Sequence, residues 1–189
     1  MHYLFLSLLG VLKMNKWILS TITIFIFFII LFINLNNNSE TFNRTNTDLD
    51  NVTNQEMEKV INDNPDIHPM RIALANRYFD EINYSNALPH YMYVAENSND
   101  NELKSFALSQ IAWMVFESSN IEVAIDYLEE ALRINENSII AKSYLGIIYL
   151  QNPNTRSDGR DLLNEILSSN KLSSEDRIFV EELVSQYES

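Results

Sequence analysis

The chain has 189 residues, a formal net charge of −13 and no cysteine. The lack of cysteine excludes disulfides, thiol catalysis and cysteine-ligated zinc or iron–sulfur sites. All 26 acidic residues lie from Glu40 onward, together with 11 of the 13 basic residues, so this part of the chain has a formal net charge of −15. A negatively charged surface is unsuited to binding nucleic-acid phosphates.

The first predicted element is a transmembrane helix at 17–35, which reads WILSTITIFIFFIILFINL and contains no charge. At about 1.5 Å per residue it is long enough to cross roughly 30 Å of hydrocarbon. Lys13 and Lys16 precede it, whereas the next basic residue after it is Arg44. The positive-inside rule therefore predicts a cytoplasmic N-terminus (1–16) and a single-pass protein of the cytoplasmic membrane whose C-terminal domain is extracytoplasmic.

A cleaved signal peptide is the alternative for this segment, because it too has a basic start and an apolar core. The uncleaved anchor is preferred, since the apolar run exceeds the roughly 7–15 residues of a signal-peptide core and no small-residue cleavage site follows Leu35. Residues 1–13 are apolar but too short to span a membrane. The true start is left open between Met1 and Met14.

Residues 36–52 are predicted to be a flexible linker, because Asn, Thr and Asp dominate without apolar periodicity. The domain 53–189 then begins with a predicted short helix near 53–63. Thr53 and Glu56 have the spacing of a capping box, and Pro65 limits the helix at its other end.

Three helix pairs are predicted next, at about 67–100, 105–138 and 139–171, followed by a C-terminal capping helix at 174–187. Pro89 is expected in the first turn of its helix, since it has no N–H to donate. The predicted fold class is therefore all-α: an N-terminal transmembrane helix followed by a superhelix of about three helix-turn-helix repeats and a cap.

Small residues recur at matched steps in these pairs. Ala75 to Ala112 is 37 positions, as is Ala87 to Ala124, and Gly146 follows Ala112 by 34. Antiparallel helices approach closely only where a side chain at the crossing is small. A period of this size is typical of stacked helix pairs.

These residues resemble the tetratricopeptide repeat (TPR), whose pattern is Leu, Gly or Ala, and Tyr, then Ala, Leu or an aromatic residue, and Ala. The third unit needs one extra loop residue before its second helix. An anchor followed by such an array is similar to bacterial TPR proteins of cytochrome c-type biogenesis (CcmH/NrfG-like), and residues 70–91 resemble them most. That resemblance implies binding of an apocytochrome and its presentation to haem-ligation machinery. The matching residues of the middle unit are Ile111, Ala112, Ala124, Leu128 and Ala131.

We therefore expect a membrane-anchored TPR scaffold that binds a protein or peptide partner outside the cytoplasmic membrane, with cytochrome c-type biogenesis as the preferred setting. The alternatives are an envelope-assembly or chaperone-linked adaptor and a structural oligomerisation module. No enzymatic activity, cofactor, metal, nucleic acid or small-molecule substrate is expected. The chain has no Gly-rich phosphate loop or HExxH motif, and His2, His68 and His90 lack metal-ligand spacing.

Partner contacts are predicted on the first helix of each pair, because these helices form the concave face of such an array. Arg and Asn side chains there are suited to a client carboxylate or backbone, and plain solvation is the alternative for the polar residues. Tyr78, Trp113 and Tyr144 flank them, with packing between repeats as the alternative role. The candidates are Arg71, Asn76, Arg77, Lys104, Ser109, Lys142 and Ser143.

Overall fold

The computed structural model describes residues 52–169 and 171–187, and within these ranges the chain is all-helical, without a strand. The predicted transmembrane helix and residues 36–51 of the linker lie outside the described residues. Within the described part of the chain, no helix is long and apolar enough to cross a membrane. The helices are α1 (Asn54–Asp63), α2 (His68–Asp80), α3 (Tyr84–Asn97), α4 (Asn101–Glu117), α5 (Ile121–Ile134), α6 (Ile139–Gln151), α7 (Arg156–Ser168) and α8 (Ser174–Gln186).

Helix α1 begins with the capping box that its sequence predicts. The Thr53 hydroxyl accepts from the backbone N–H of Glu56 at 3.2 Å, and the Glu56 carboxylate accepts from the backbone N–H of Thr53 at 2.8 Å. Two otherwise orphan donors are thereby satisfied. Met57 and Ile61 are fully buried and pack against Leu74, so α1 covers one side of α2.

Consecutive helices pack as three pairs, α2 with α3, α4 with α5, and α6 with α7. The first helices also contact one another in sequence, α2 with α4 and α4 with α6. The second helices α3, α5 and α7 make no such contacts with each other, and α8 packs on α7. The array therefore has an inner side formed by α2, α4 and α6 and an outer side formed by the second helices.

The 37-residue period appears as repeated backbone geometry. The links at 81–83 and 118–120 each have three residues, and in both the middle residue is left-handed, with φ of 57° at Ile82 and 69° at Ser119. Each left-handed residue donates its N–H to the carbonyl three positions earlier at 2.8 Å. The asparagine that follows donates to the carbonyl five positions earlier, at 2.7 Å for Asn83 and 3.2 Å for Asn120. The same helix-ending turn therefore closes α2 and α4.

The third pair differs in its link and in its crossing. Four residues (152–155) join α6 to α7, one more than in the other pairs, which agrees with the extra loop residue that the sequence predicts. The two helices cross at Gly146 and Gly159. A Cβ on Gly159 would lie 2.7 Å from the carbonyl oxygen of Gly146 and 2.8 Å from the backbone nitrogen of Leu150, so this crossing needs glycine.

Two helix starts differ from the sequence prediction. Helix α4 begins at Asn101 rather than near 105, because the Asp100 carboxylate caps it by accepting from the backbone N–H of Glu102 at 2.8 Å. The expectation that Pro89 lies in the first turn was wrong, since α3 begins at Tyr84 and Pro89 lies in its second turn. Pro89 is exposed, so water can satisfy the carbonyl that loses its helical donor.

Candidate functional site

The seven partner residues predicted from the sequence do not form one surface. Ser109 and Ser143 occupy equivalent positions on α4 and α6, and both are fully buried. The Ser109 hydroxyl donates to the backbone carbonyl of Ser105 at 2.7 Å, whereas the buried Ser143 hydroxyl has no hydrogen-bond partner among the described residues. Neither hydroxyl is presented to solvent for a partner.

The two predicted lysines are directed toward the second helices. Lys142 forms an ion pair with Glu165 of α7, across the third helix pair. Lys104 borders a cavity of about 210 Å³ between α3, α4 and α5. Both therefore lie away from the inner side that the sequence argument assigned to them.

The two predicted arginines make contacts within the domain. Arg77 donates to the Val52 carbonyl at 2.5 Å and to the Asn54 side chain at 3.2 Å, which ties the start of α1 to α2. The buried Arg71 guanidinium lies 3.9 Å from the ring centroid of Tyr93 and donates to the Pro65 carbonyl at 3.2 Å. Arg77 therefore holds α1 against α2, and Arg71 contacts Tyr93 of α3.

Asn76 alone of the seven joins a cluster of polar and aromatic side chains, half of them buried, that lies between three first helices and α3. Its amide oxygen accepts from the Tyr91 hydroxyl at 2.5 Å. Sequence reasoning missed most of this cluster, although it named Trp113 and Tyr144 as flanking residues. Hydrogen bonds and ring contacts connect its members, and Asp80 belongs to it because its charge helps to raise the pKa of Tyr91 and Tyr144. The aromatic–acidic cluster consists of Asn76 and Asp80 of α2, Tyr84 and Tyr91 of α3, Gln110, Trp113 and Glu117 of α4, and Tyr144 of α6.

Two aromatic donors orient the Glu117 carboxylate. The indole N–H of Trp113 donates to Oε1 at 3.0 Å, and the Tyr84 hydroxyl donates to Oε2. Glu117 is nevertheless exposed. Because an ionised carboxylate has about four lone-pair positions, it can accept further hydrogen bonds without losing these two. The cluster therefore offers a fixed, solvent-accessible acceptor.

The interior end of the cluster contains an unsatisfied amide. The Trp113 and Tyr144 rings lie with centroids 4.9 Å apart, and the Tyr144 hydroxyl lies within hydrogen-bond distance of Gln110 Oε1 at 3.3 Å, donating to it. Gln110 is fully buried, yet its Nε2 has no hydrogen-bond partner among the described residues. A buried donor without a partner costs about 1–3 kcal/mol, so this amide favours an acceptor beside Tyr144.

Burial and nearby negative charge shift the ionisation of the cluster. Burial, then the charge of Glu117, raises the pKa of Tyr144 well above its ordinary value, and burial, then the hydrogen bond to Glu117, does the same for the pKa of Tyr84. Both hydroxyls therefore remain neutral donors at physiological pH. Partial desolvation, with Glu81 beside it, raises the pKa of Asp80 to about 6 even though part of the side chain is exposed to solvent.

Asp80 and Glu117 occupy equivalent positions in two repeats. They are 37 residues apart and are the last residues of α2 and α4, two first helices that contact each other. Helix C-termini carry partial negative charge, which adds to that of the two carboxylates. Gln151, the last residue of α6, is the equivalent position in the third repeat, and Asp80, Glu117 and Gln151 together form a row along the ends of the first helices. Alignment of the three repeats in the sequence would have revealed this row.

No group of three or more His, Cys, Asp or Glu residues in the described part of the chain is arranged to hold a metal ion. In comparisons with known proteins, no family model matched the chain, and neither did any curated protein or solved structure. The features that bear on function are the all-helical architecture of packed pairs and the aromatic–acidic cluster.

Proposed function

We propose that this protein is a membrane-anchored TPR scaffold that binds a protein or peptide partner outside the cytoplasmic membrane. The observation that carries the proposal is the arrangement of the first helices, which contact one another while the second helices do not. In stacked helix pairs, first helices that contact one another line the concave side, which suits an extended polypeptide. The anchor and its orientation rest on the uncharged segment 17–35 and its flanking lysines.

The assignment to the TPR class is supported by three recurrent features of the pairs. The small residues Ala75, Ala112 and Gly146 recur on the first helices, and Gly146 meets Gly159 at the third crossing. The left-handed turn repeats after 37 residues. Each unit is one helix pair, which is the unit size expected for this repeat.

The inner side is suited to a polypeptide because its polar groups are held in place. The Tyr91 hydroxyl fixes the Asn76 amide by donating to its oxygen, and the amide NH₂ group has no partner among the described residues. A partner's backbone carbonyl would accept from that group. Preorganised donors of this kind reduce the entropy lost on binding.

Position-specific photo-crosslinking in cells tests the proposal. A photoreactive phenylalanine analogue replaces Gln151 on the inner row, and the matched control carries it at Val123, which is exposed on α5 of the outer side. We expect adducts with a second polypeptide from position 151 and few from position 123. Equal yields, or none, would refute binding along the first helices. Adducts between copies of this chain alone would support the oligomerisation module instead.

Cytochrome c-type biogenesis is the setting that we propose for this binding, and its support is the resemblance of residues 70–91. Deletion of the gene should then lower the covalent haem of membrane cytochromes on haem-stained gels. Unchanged haem staining would reject this setting and favour an envelope-assembly or chaperone-linked adaptor.

A further inference from the structure

We propose that the polypeptide bound at the aromatic–acidic cluster presents a cationic side chain, Arg or Lys, to the Glu117 carboxylate, with Asp80 at the end of the neighbouring first helix adding negative charge. The inference rests on the proposed function, binding of a polypeptide along the first helices, and adds the chemical class of the partner.

The Glu117 carboxylate is already oriented for a cation. Trp113 and Tyr84 fix its orientation, so a guanidinium or ammonium group would meet an acceptor that has already lost its rotational freedom. Hydrogen bonds between ionised partners are the stronger ones in proteins. Exposure of Glu117 leaves room for the cation to approach from solvent.

The negative charge of Asp80 and Glu117 is not neutralised within the described residues. Neither Asp80 nor Glu117 takes part in an ion pair there. Lys142, Arg71 and Arg77 of the inner helices are all engaged elsewhere. The C-termini of α2 and α4 add partial negative charge. A cation is therefore favoured at this position, and an anion is disfavoured.

Gln110 favours a peptide partner for a reason that is independent of charge. It lies three and seven positions before Trp113 and Glu117, which puts all three on one face of α4. Its fully buried amide nitrogen has no partner among the described residues, while its oxygen accepts from Tyr144 in the cluster. An acceptor that entered beside Tyr144, such as a backbone carbonyl of the partner, would satisfy it. A cation together with a carbonyl describes a basic residue within a peptide rather than a free amine.

Binding of matched synthetic peptides to the full-length chain in detergent tests this. The peptides share one neutral sequence and carry Arg, Lys, citrulline or Glu at the central position. Replacing Trp17 by Phe leaves Trp113 as the sole tryptophan, so its fluorescence reports binding at the cluster. We expect the Arg and Lys peptides to bind, the citrulline peptide about tenfold more weakly and the Glu peptide weakest. Affinity for the Arg peptide should fall as salt rises from about 0.05 to about 0.5 M.

Charge-neutralising variants test whether Glu117 and Asp80 cause the preference for the Arg peptide. Glu117→Gln and Asp80→Asn preserve side-chain shape, and each should weaken the Arg peptide about fivefold. The matched control is Glu122→Gln, an exposed residue of α5 on the outer side, which should bind normally. Gln110→Met removes the amide nitrogen together with the oxygen that accepts from Tyr144, so its unfolding temperature is measured beside its affinity; a folded variant should bind the peptide more weakly.

The outcomes separate this inference from the proposed function. Equal affinity for the Arg and citrulline peptides, or normal binding by both Glu117→Gln and Asp80→Asn, would overturn the cationic class while leaving a polypeptide scaffold. Competition by spermidine as effective as that by the Arg peptide would show a general cation site and overturn the peptide assignment. If no peptide of any charge binds and position 151 gives no adducts, the proposed function fails and this inference fails with it.

Discussion

The glycine crossing of the third pair allows a stability effect to be worked from distances. In Gly159→Ala, the new Cβ would lie 2.7 Å from the Gly146 carbonyl oxygen and 2.8 Å from the Leu150 nitrogen. Both are backbone atoms of α6, so neither can rotate away and the helices must separate. Overpacking of this kind costs up to about 3 kcal/mol, and alanine regains about 1 kcal/mol of helix propensity. We expect a net loss of about 2 kcal/mol in the free energy of unfolding.

The reciprocal variant provides a graded comparison. In Gly146→Ala the new Cβ meets the Leu163 side chain at 2.9 Å and the Gly159 carbonyl oxygen at 3.2 Å. A side chain can shift more readily than backbone, so the expected loss is roughly 1 kcal/mol or less. The exposed Asn164→Ala of α7 controls for helix propensity and should be neutral or slightly stabilising. Urea unfolding in mild detergent, followed by far-ultraviolet circular dichroism, measures all three. A Gly159→Ala variant as stable as the parent would refute this account of the crossing.

Three further effects follow from the turns and the titrating groups. Ile82→Asn should raise the unfolding free energy by about 1 kcal/mol in the same urea assay, because a β-branched residue is strained at φ 57°; a loss of stability would contradict this. Burial, reinforced by Arg71 and opposed by Glu58, lowers the pKa of His90 below 6.5. The unfolded state therefore binds more protons than the folded state, so the free energy of unfolding should decrease as the pH falls from about 7.5 to about 5.5. The His90→Gln variant should show a weaker dependence on pH, and an equal dependence in variant and parent would refute the role of His90. Because the pKa of Asp80 is raised to about 6, binding of the Arg peptide should weaken as the pH falls through 6, and Asp80→Asn should lose that dependence.

The repeat framework could be predicted from the sequence because its determinants are local. The small residues at each crossing mark the period, the Thr53–Glu56 spacing marks a helix start, and the extra residue before α7 appears directly in the spacing to Gly159. The predicted position of Pro89 in the first turn of its helix was wrong, because helix propensity alone underestimates how far packing extends a helix. In α3, Ala87 and Tyr91 are fully buried on either side of the proline, and this packing holds the helix together from Tyr84.

The candidate site could be predicted only in part, because the direction of a side chain depends on distant neighbours. Arg71 and Arg77 were chosen for their chemistry, but Tyr93 and Val52, each more than twenty positions away, determine their contacts. The packing alternative for Trp113 agrees with its contact to Tyr144. The orientation of Glu117 by two aromatic donors from different helices has no sequence signature of its own.

The equivalent residues at the ends of the first helices differ in charge from the first repeat to the third. The row reads Asp80, Glu117 and Gln151, so charge is concentrated on the first two repeats and absent at this position in the third. The third repeat instead has the glycine crossing, where α6 and α7 approach more closely than a side chain permits. A bound segment would therefore meet unlike ends of the same surface, an acidic end and a neutral one. This difference in charge along the row adds to the polarity that stacked repeats already have along their axis.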